Sequence, residues 1–125
     1  MTSAPQKPSS NFLEALCENG TISPRLFADQ FRVDLERLAD LAHVPPVVIS
    51  HVPESELLQD YMHNAASVIS ALLEVSDLDI ERAITWFRHA PLIELGGATA
   101  ERYVSQGRTA AVHAYVLNLT AGATG

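Results

Sequence analysis

The longest helical segment legible in this chain runs from Ser55 to Val75, and the rest of the fold must be arranged around it. Leu58, Met62, Ala65, Ile69 and Leu72 make one apolar stripe. Leu57, Tyr61, Val68 and Val75 widen that stripe well beyond a single narrow face. A helix apolar over so wide an arc is buried on two sides. It is either the central helix of the fold or part of a self-association surface. In the second case Leu58, Tyr61, Met62, Ile69 and Leu72 are the interface residues.

Shorter helices flank it, and no convincing strand is legible. The first is expected from about Asn11 to Asn19, with Asn11 as cap, Glu14 closing a capping box and Gly20 giving a left-handed exit. A second opens at Ser23-Pro24, serine capping and proline in the first helical position. Asp34 caps a third over Leu35–Ala42, and a short fourth covers Pro46–His51. Ser76-Asp77-Leu78-Asp79 starts a further helix that carries Ile80, Ala83, Ile84, Trp86 and Phe87 and ends before Pro91. Thr99 caps a short turn of helix that ends at Gly107. A last helix is expected over Arg108–Leu119, stopping at Gly122.

This order predicts an all-α fold. It divides into a loose tail over residues 1–10, a helical part with a helix-turn-helix-like unit over 11–53, and a second helical part over 54–125. The length of 125 residues suits one domain, and such a chain buries roughly two-thirds of its unfolded surface. No apolar run approaches the ~18 residues of a membrane span. The start of the chain does not read as a signal peptide, so the expected compartment is the cytoplasm.

Charge narrows the partners. Fifteen acidic against eight basic residues give −7, the wrong sign for coating nucleic acid or an anionic membrane. A single cysteine, Cys17, excludes an internal disulfide and any multi-cysteine metal site. In its helical pattern it is expected as a buried, inert thiol. His43, His51, His63, His89 and His113 are scattered, and no two have the i, i+4 spacing of a metal pair. Gly96-Gly97 lacks the lysine and the strand–helix setting of a phosphate loop. No nucleophile–base arrangement can be assembled, so neither an enzyme nor a cofactor or metal site is expected.

Two constellations remain. Asp34 to Ser50 follows helix-turn-helix logic, with Leu35, Leu38, Ala39, Val44 and Ile49 in the inward positions. Two helices packed for stability alone would give the same pattern. Arg37, Val47, Ser50 and His51 are the residues such a unit would offer to DNA. Yet from Leu38 through Glu81 there is no lysine or arginine, while eight aspartates and glutamates fall there. A reader of DNA needs phosphate contacts, because counterion release supplies most non-specific affinity.

The second constellation is C-terminal. Ile80-Glu81-Arg82-Ala83-Ile84-Thr85-Trp86-Phe87, Pro91, Leu95-Gly96-Gly97-Ala98-Thr99-Ala100, Gly107, Val112 and Leu119 follow in order. Together they resemble the toxin-binding domain of the Xre/MbcA/ParS antitoxin family. The order upstream agrees too, so the resemblance covers roughly Ile22 to Gly122. It implies a dimeric antitoxin that neutralises a RES-fold toxin, an enzyme that attacks NAD or uses it to ADP-ribosylate a target. It also implies repression of the shared operon by the helix-turn-helix part. Carried over by position, the toxin-contacting surface comprises Trp86, Leu95, Gly96, Gly97, Thr99, Arg108, Val112, Tyr115, Leu119 and Gly122. Truncation after Gly107 is then expected to abolish neutralisation and leave the fold standing.

Three positions depart from the family's pattern. His43 stands where the turn commonly has glycine, and Pro45 where a serine or threonine commonly caps the recognition helix. Ala100 follows the threonine where a proline is common. The first two weigh against DNA binding. A helix-turn-helix regulator and a non-enzymatic helical adaptor are the competing readings.

Overall fold

Side-chain caps set where four of the helices begin. The structure, a computed structural model, describes residues 8–123. Helix α1 spans Pro8–Leu16, and strands β1 (Cys17–Glu18) and β2 (Thr21–Ile22) form an antiparallel hairpin after it. Helices α2 (Pro24–Phe31), α3 (Leu35–Ala42) and α4 (Pro46–His51) follow. Helix α5 (Glu56–Val75) is the longest, and α6 spans Ile80–His89. A 3₁₀ turn over Ile93–Leu95 leads to α7 (Ala100–Ser105) and α8 (Thr109–Ala123). The described fold is all-α but for the hairpin.

The caps at Ser23, Asp34 and Thr99 are those the sequence offers, whereas Asp79 rather than Ser76 caps α6 and Asn11 lies within α1 instead of capping it. Ser23 Oγ accepts from the Leu26 N–H (3.3 Å), Asp34 Oδ1 from Arg37 (2.7 Å), Asp79 Oδ1 from Arg82 (2.8 Å) and Thr99 Oγ1 from Arg102 (3.2 Å). Each satisfies an amide that the first turn leaves without an intrahelical partner. At the other ends, Arg32 and His43 close α2 and α3 in left-handed conformation, with φ of 57° and 61°.

Three boundaries differ from the sequence reading. Helix α1 begins at Pro8, so Pro8, Ser9 and Ser10 of the expected tail are helical, while residues 1–7 lie outside the described range. Helix α1 ends at Leu16 because Asn19 and Gly20, with φ of 53° and 85°, make the two-residue turn of a hairpin. Positive φ at both positions suits the right-handed twist of paired strands, and Asn-Gly is the pair that adopts it most readily. Cys17 is consequently a half-buried strand residue rather than a helical core thiol. Helix α8 continues past Gly122 to Ala123.

Helix α5 is the centre of the molecule, packed against α1, α3, α6, α7 and α8. Leu58, Met62 and Ile69 are 0% exposed, and Tyr61 and Leu72 are nearly so. The chain's own helices therefore take up the whole stripe that a self-association surface would need. Those five residues are core, not interface, because a second copy has no access to them. One hydrophobic cluster extends from Phe12 to Val116, so the parts expected at 11–53 and 54–125 share an interior.

Aromatic residues knit the N-terminal helices to that interior. Phe27 and Phe31, one helical turn apart on α2, stack with centroids 4.0 Å apart. Phe31 also meets Phe12 of α1 and Phe87 of α6 edge-on, at 5.8 and 5.5 Å. Edge-to-face pairs of this kind add about 0.5–1.5 kcal/mol each beyond burial. The hairpin is fastened to α5 by Gln59, whose side-chain amide mimics a neighbouring strand. Its Oε1 accepts from the Ile22 N–H (3.0 Å), and its Nε2 donates to the Ile22 carbonyl (2.8 Å).

Candidate functional site

The loop between α6 and α7 is built to hold a fixed shape. Pro91 pairs with Thr99, the Leu92 N–H donates to the Ala98 carbonyl (2.9 Å), and the Gly97 N–H donates back to Leu92 (2.9 Å). Gly96 has a φ of +126°, which side-chain-bearing residues rarely adopt. A Cβ there would stand 2.8 Å from Tyr103 Oη, an oxygen that accepts from the Ala98 N–H at 3.1 Å. Backbone conformation and the tyrosine together demand glycine. Gly97, at φ +93°, has open space around its α-carbon. Both glycines shape the turn that presents Leu95.

Opposite this turn lies α8. Val112 and Val116, four residues apart, are 0% exposed and face inward. The next face carries Ala111, Tyr115 and Leu119, again at intervals of four. With Ala114, Asn118 and the turn residues Glu94 and Leu95, these line a groove of about 660 Å³. Trp86 of α6 packs against Tyr115, the ring centroids 6.3 Å apart and tilted by 36°. Three elements thus converge on one apolar face, and Leu119 remains 40% exposed on it.

Of the residues expected to contact a toxin, the structure brings Leu95, Tyr115 and Leu119 into that groove, with Trp86 behind Tyr115. Gly96 and Gly97 are exposed beside it. Thr99 serves as the α7 cap. The Arg108 guanidinium lies over the Tyr103 ring, 4.7 Å from its centroid, and so braces the turn from the α8 side. Val112 is a correction. Its full burial makes it core, where no partner reaches it. Gly122 belongs to the last turns of α8.

The residues offered to DNA do not act together. Val47, Ser50 and His51 are exposed on α4, where Ser50 Oγ lies 3.0 Å from His51 Nδ1. Arg37 is turned away from them. Its Nη2 donates to Glu101 Oε1 at 2.9 Å, so the guanidinium is committed to an internal ion pair rather than to a phosphate.

Glu101, which the sequence reading did not single out, is the centre of that polar cluster. It is 3% exposed and accepts from Arg37 of α3 and, at 3.2 Å, from Arg88 Nε of α6. Arg88 Nη1 also donates to the Arg32 carbonyl (2.7 Å). The Glu101 hydrogen bond raises the Arg37 pKa further, against the pull of burial. Burial raises the pKa of the Tyr61 phenol well above its ordinary value, and the Glu101 charge adds to the effect. The C-terminal end of α3 is tied to α7 as well. His43 Nε2 is 2.9 Å from the Ser105 carbonyl, and Ser105 Oγ donates to the Leu41 carbonyl at 2.6 Å. No local pattern announces contacts that span more than sixty residues.

Among the described residues, no group of three or more histidines, cysteines, aspartates or glutamates is placed to hold a metal ion. Among them, too, no helix is long and apolar enough to cross a membrane. No protein-family model matches the chain, and no curated protein matches it.

Proposed function

We propose that this chain is an antitoxin: a non-enzymatic inhibitor that lays its C-terminal apolar groove over the active-site cleft of a RES-fold toxin. That toxin consumes NAD or transfers ADP-ribose from it. The observation that carries this reading is the meeting of Leu95, Tyr115 and Leu119 on one groove. Leu95 lies on the α6–α7 turn and Tyr115 and Leu119 on α8, and all three belong to the set that the resemblance implies. An apolar, partly aromatic face held on a rigid turn is the kind of surface that anchors a protein interface. A homodimer, a mixed assembly with the toxin and a cytoplasmic location belong to the same proposal. Against operon repression by α3 and α4 stand the engagement of Arg37 by Glu101 and the acidic surface around them.

Co-expression with the protein encoded by the neighbouring reading frame tests the proposal, scoring growth and cellular NAD. Rescue of growth with NAD restored, and a co-purifying complex, is the expected result. A complex that leaves NAD consumption untouched would make the chain an adaptor. Salt-steep binding to its own upstream DNA, without rescue, would make it a regulator.

A further inference from the structure

A second groove lies in the N-terminal half of the fold. It holds about 680 Å³ between the hairpin, the start of α2, α3 and the α4–α5 connection. Ile22, Pro24, Leu35, Ile49 and Pro53 give it an apolar lining, and Glu18 and Glu54 stand at it against one cation, Arg25. Exposed apolar side chains continue along the chain beside it. Val47 is 56% exposed, Val52 44% and Leu57 59%, while Leu35 within the groove is 39% exposed.

Electrostatics select the occupant. Two of the groove's three charged side chains, Glu18 and Glu54, are acidic, and the chain as a whole carries −7. Duplex DNA and anionic lipid are repelled by such a field, and a second copy of this chain would set acid against acid. Apolar side chains left in water beside exposed carboxylates call for a partner with the converse pattern.

We propose that this groove docks a basic amphipathic protein segment, with leucine-like side chains seated against Leu35 and Pro53 and lysines or arginines facing Glu18 and Glu54. The site stands apart from the C-terminal groove, and the proposal does not depend on the antitoxin reading.

The test uses the intact chain and a synthetic amphipathic peptide of leucine and lysine. Its counterpart carries glutamate in place of lysine, and a short duplex DNA completes the set. Amide chemical shifts locate the contact, and fluorescence anisotropy gives its strength. The leucine–lysine peptide is expected to shift residues of the hairpin, α4 and the α4–α5 connection, with affinity falling as salt rises. Leu35→Ser is expected to weaken it about tenfold, and Glu54→Lys to weaken it severalfold while flattening the salt dependence. Leu117→Ser on α8 is expected to change nothing. Because Leu35 is partly buried, Glu54→Lys is the variant that decides if Leu35→Ser loses its fold. Equal affinity for the leucine–glutamate peptide, indifference to Glu54→Lys, shifts centred on α8, or tighter binding of the DNA would each overturn the proposal.

Discussion

Arg37 of α3 reaches Glu101 of α7 across 64 residues of sequence, Nη2 to Oε1 at 2.9 Å, and so fixes α3 to the C-terminal half. The glutamate is buried, and Arg88 holds its other oxygen. Removing one member of such a cluster leaves the remaining charges without compensation, which costs about 3–5 kcal/mol in fully buried cases. Both arginines are partly solvated, so the lower end applies. Glu101→Ala should lose roughly 3 kcal/mol in urea unfolding. A loss under about 1 kcal/mol, the scale of an exposed pair, would mean that the cluster contributes no more than a surface ion pair.

Tyr61, on the central helix beside this cluster, makes stability depend on alkaline pH. Its folded pKa is raised, mainly by burial, whereas the unfolded phenol titrates near 10. Below pH 10 both states keep the proton and stability is unaffected. Above it only the unfolded state releases the proton, so unfolding is favoured by about 1.4 kcal/mol per pH unit. Unfolding midpoints measured at pH 9, 10 and 11 should fall at the last step, and Tyr61→Phe should flatten that fall. An unchanged slope in the variant would assign the alkaline loss to other groups.

What the sequence made legible were features with local causes. Ser23, Asp34 and Thr99 act within three residues of themselves, and the buried arc of α5 follows from spacing except at Leu57, which is 59% exposed. The hairpin had a local cause too: Asn19-Gly20 is a turn signal, masked by the apolar helical pattern that precedes it. The choice between core and self-association for Leu58 and Met62 had no local cause, because it depends on which helices cover α5. Glu101 reads as one more acid in a first helical turn until α3 and α6 bring their arginines to it. The groove was half legible. Leu95, Tyr115 and Leu119 were nominated by their order along the chain. Val112 was nominated with them, and periodicity alone could not separate it, since seven residues are nearly two turns and set it close to Leu119 around α8; packing against the rest of the fold is what buries it.

Gly96 should tolerate no side chain. Gly96→Ala combines a strained φ with a Cβ 2.8 Å from Tyr103 Oη, and backbone strain of this kind costs about 1–3 kcal/mol. Gly97→Ala meets no neighbour and bears only the strain, so it should be the milder of the two. Adding Tyr103→Phe to Gly96→Ala removes the clashing oxygen and should recover part of the loss. The double-mutant cycle measures that coupling, and a coupling of zero would show that φ alone enforces the glycine.

Helix α8 has a structural face and a free face, and the two should separate experimentally. Val112 and Val116 belong to the core, so truncation after Gly107 should unfold the chain instead of producing a folded, inactive one. That reverses what the sequence suggested. Val112→Ala should cost about 2 kcal/mol through lost burial and the cavity left behind, yet leave toxin neutralisation intact at temperatures where the variant stays folded. Tyr115→Ser with Leu119→Ser touches the groove, where side chains are partly solvated. This pair should keep the thermal midpoint within a few degrees of the parent and, on the proposed antitoxin function, abolish growth rescue by the co-expressed chain. If the pair rescues growth as well as the parent, the groove is not the inhibitory surface. If it unfolds the chain, Tyr115 and Trp86 form part of the core, and the inhibitory face must be sought around Ile93.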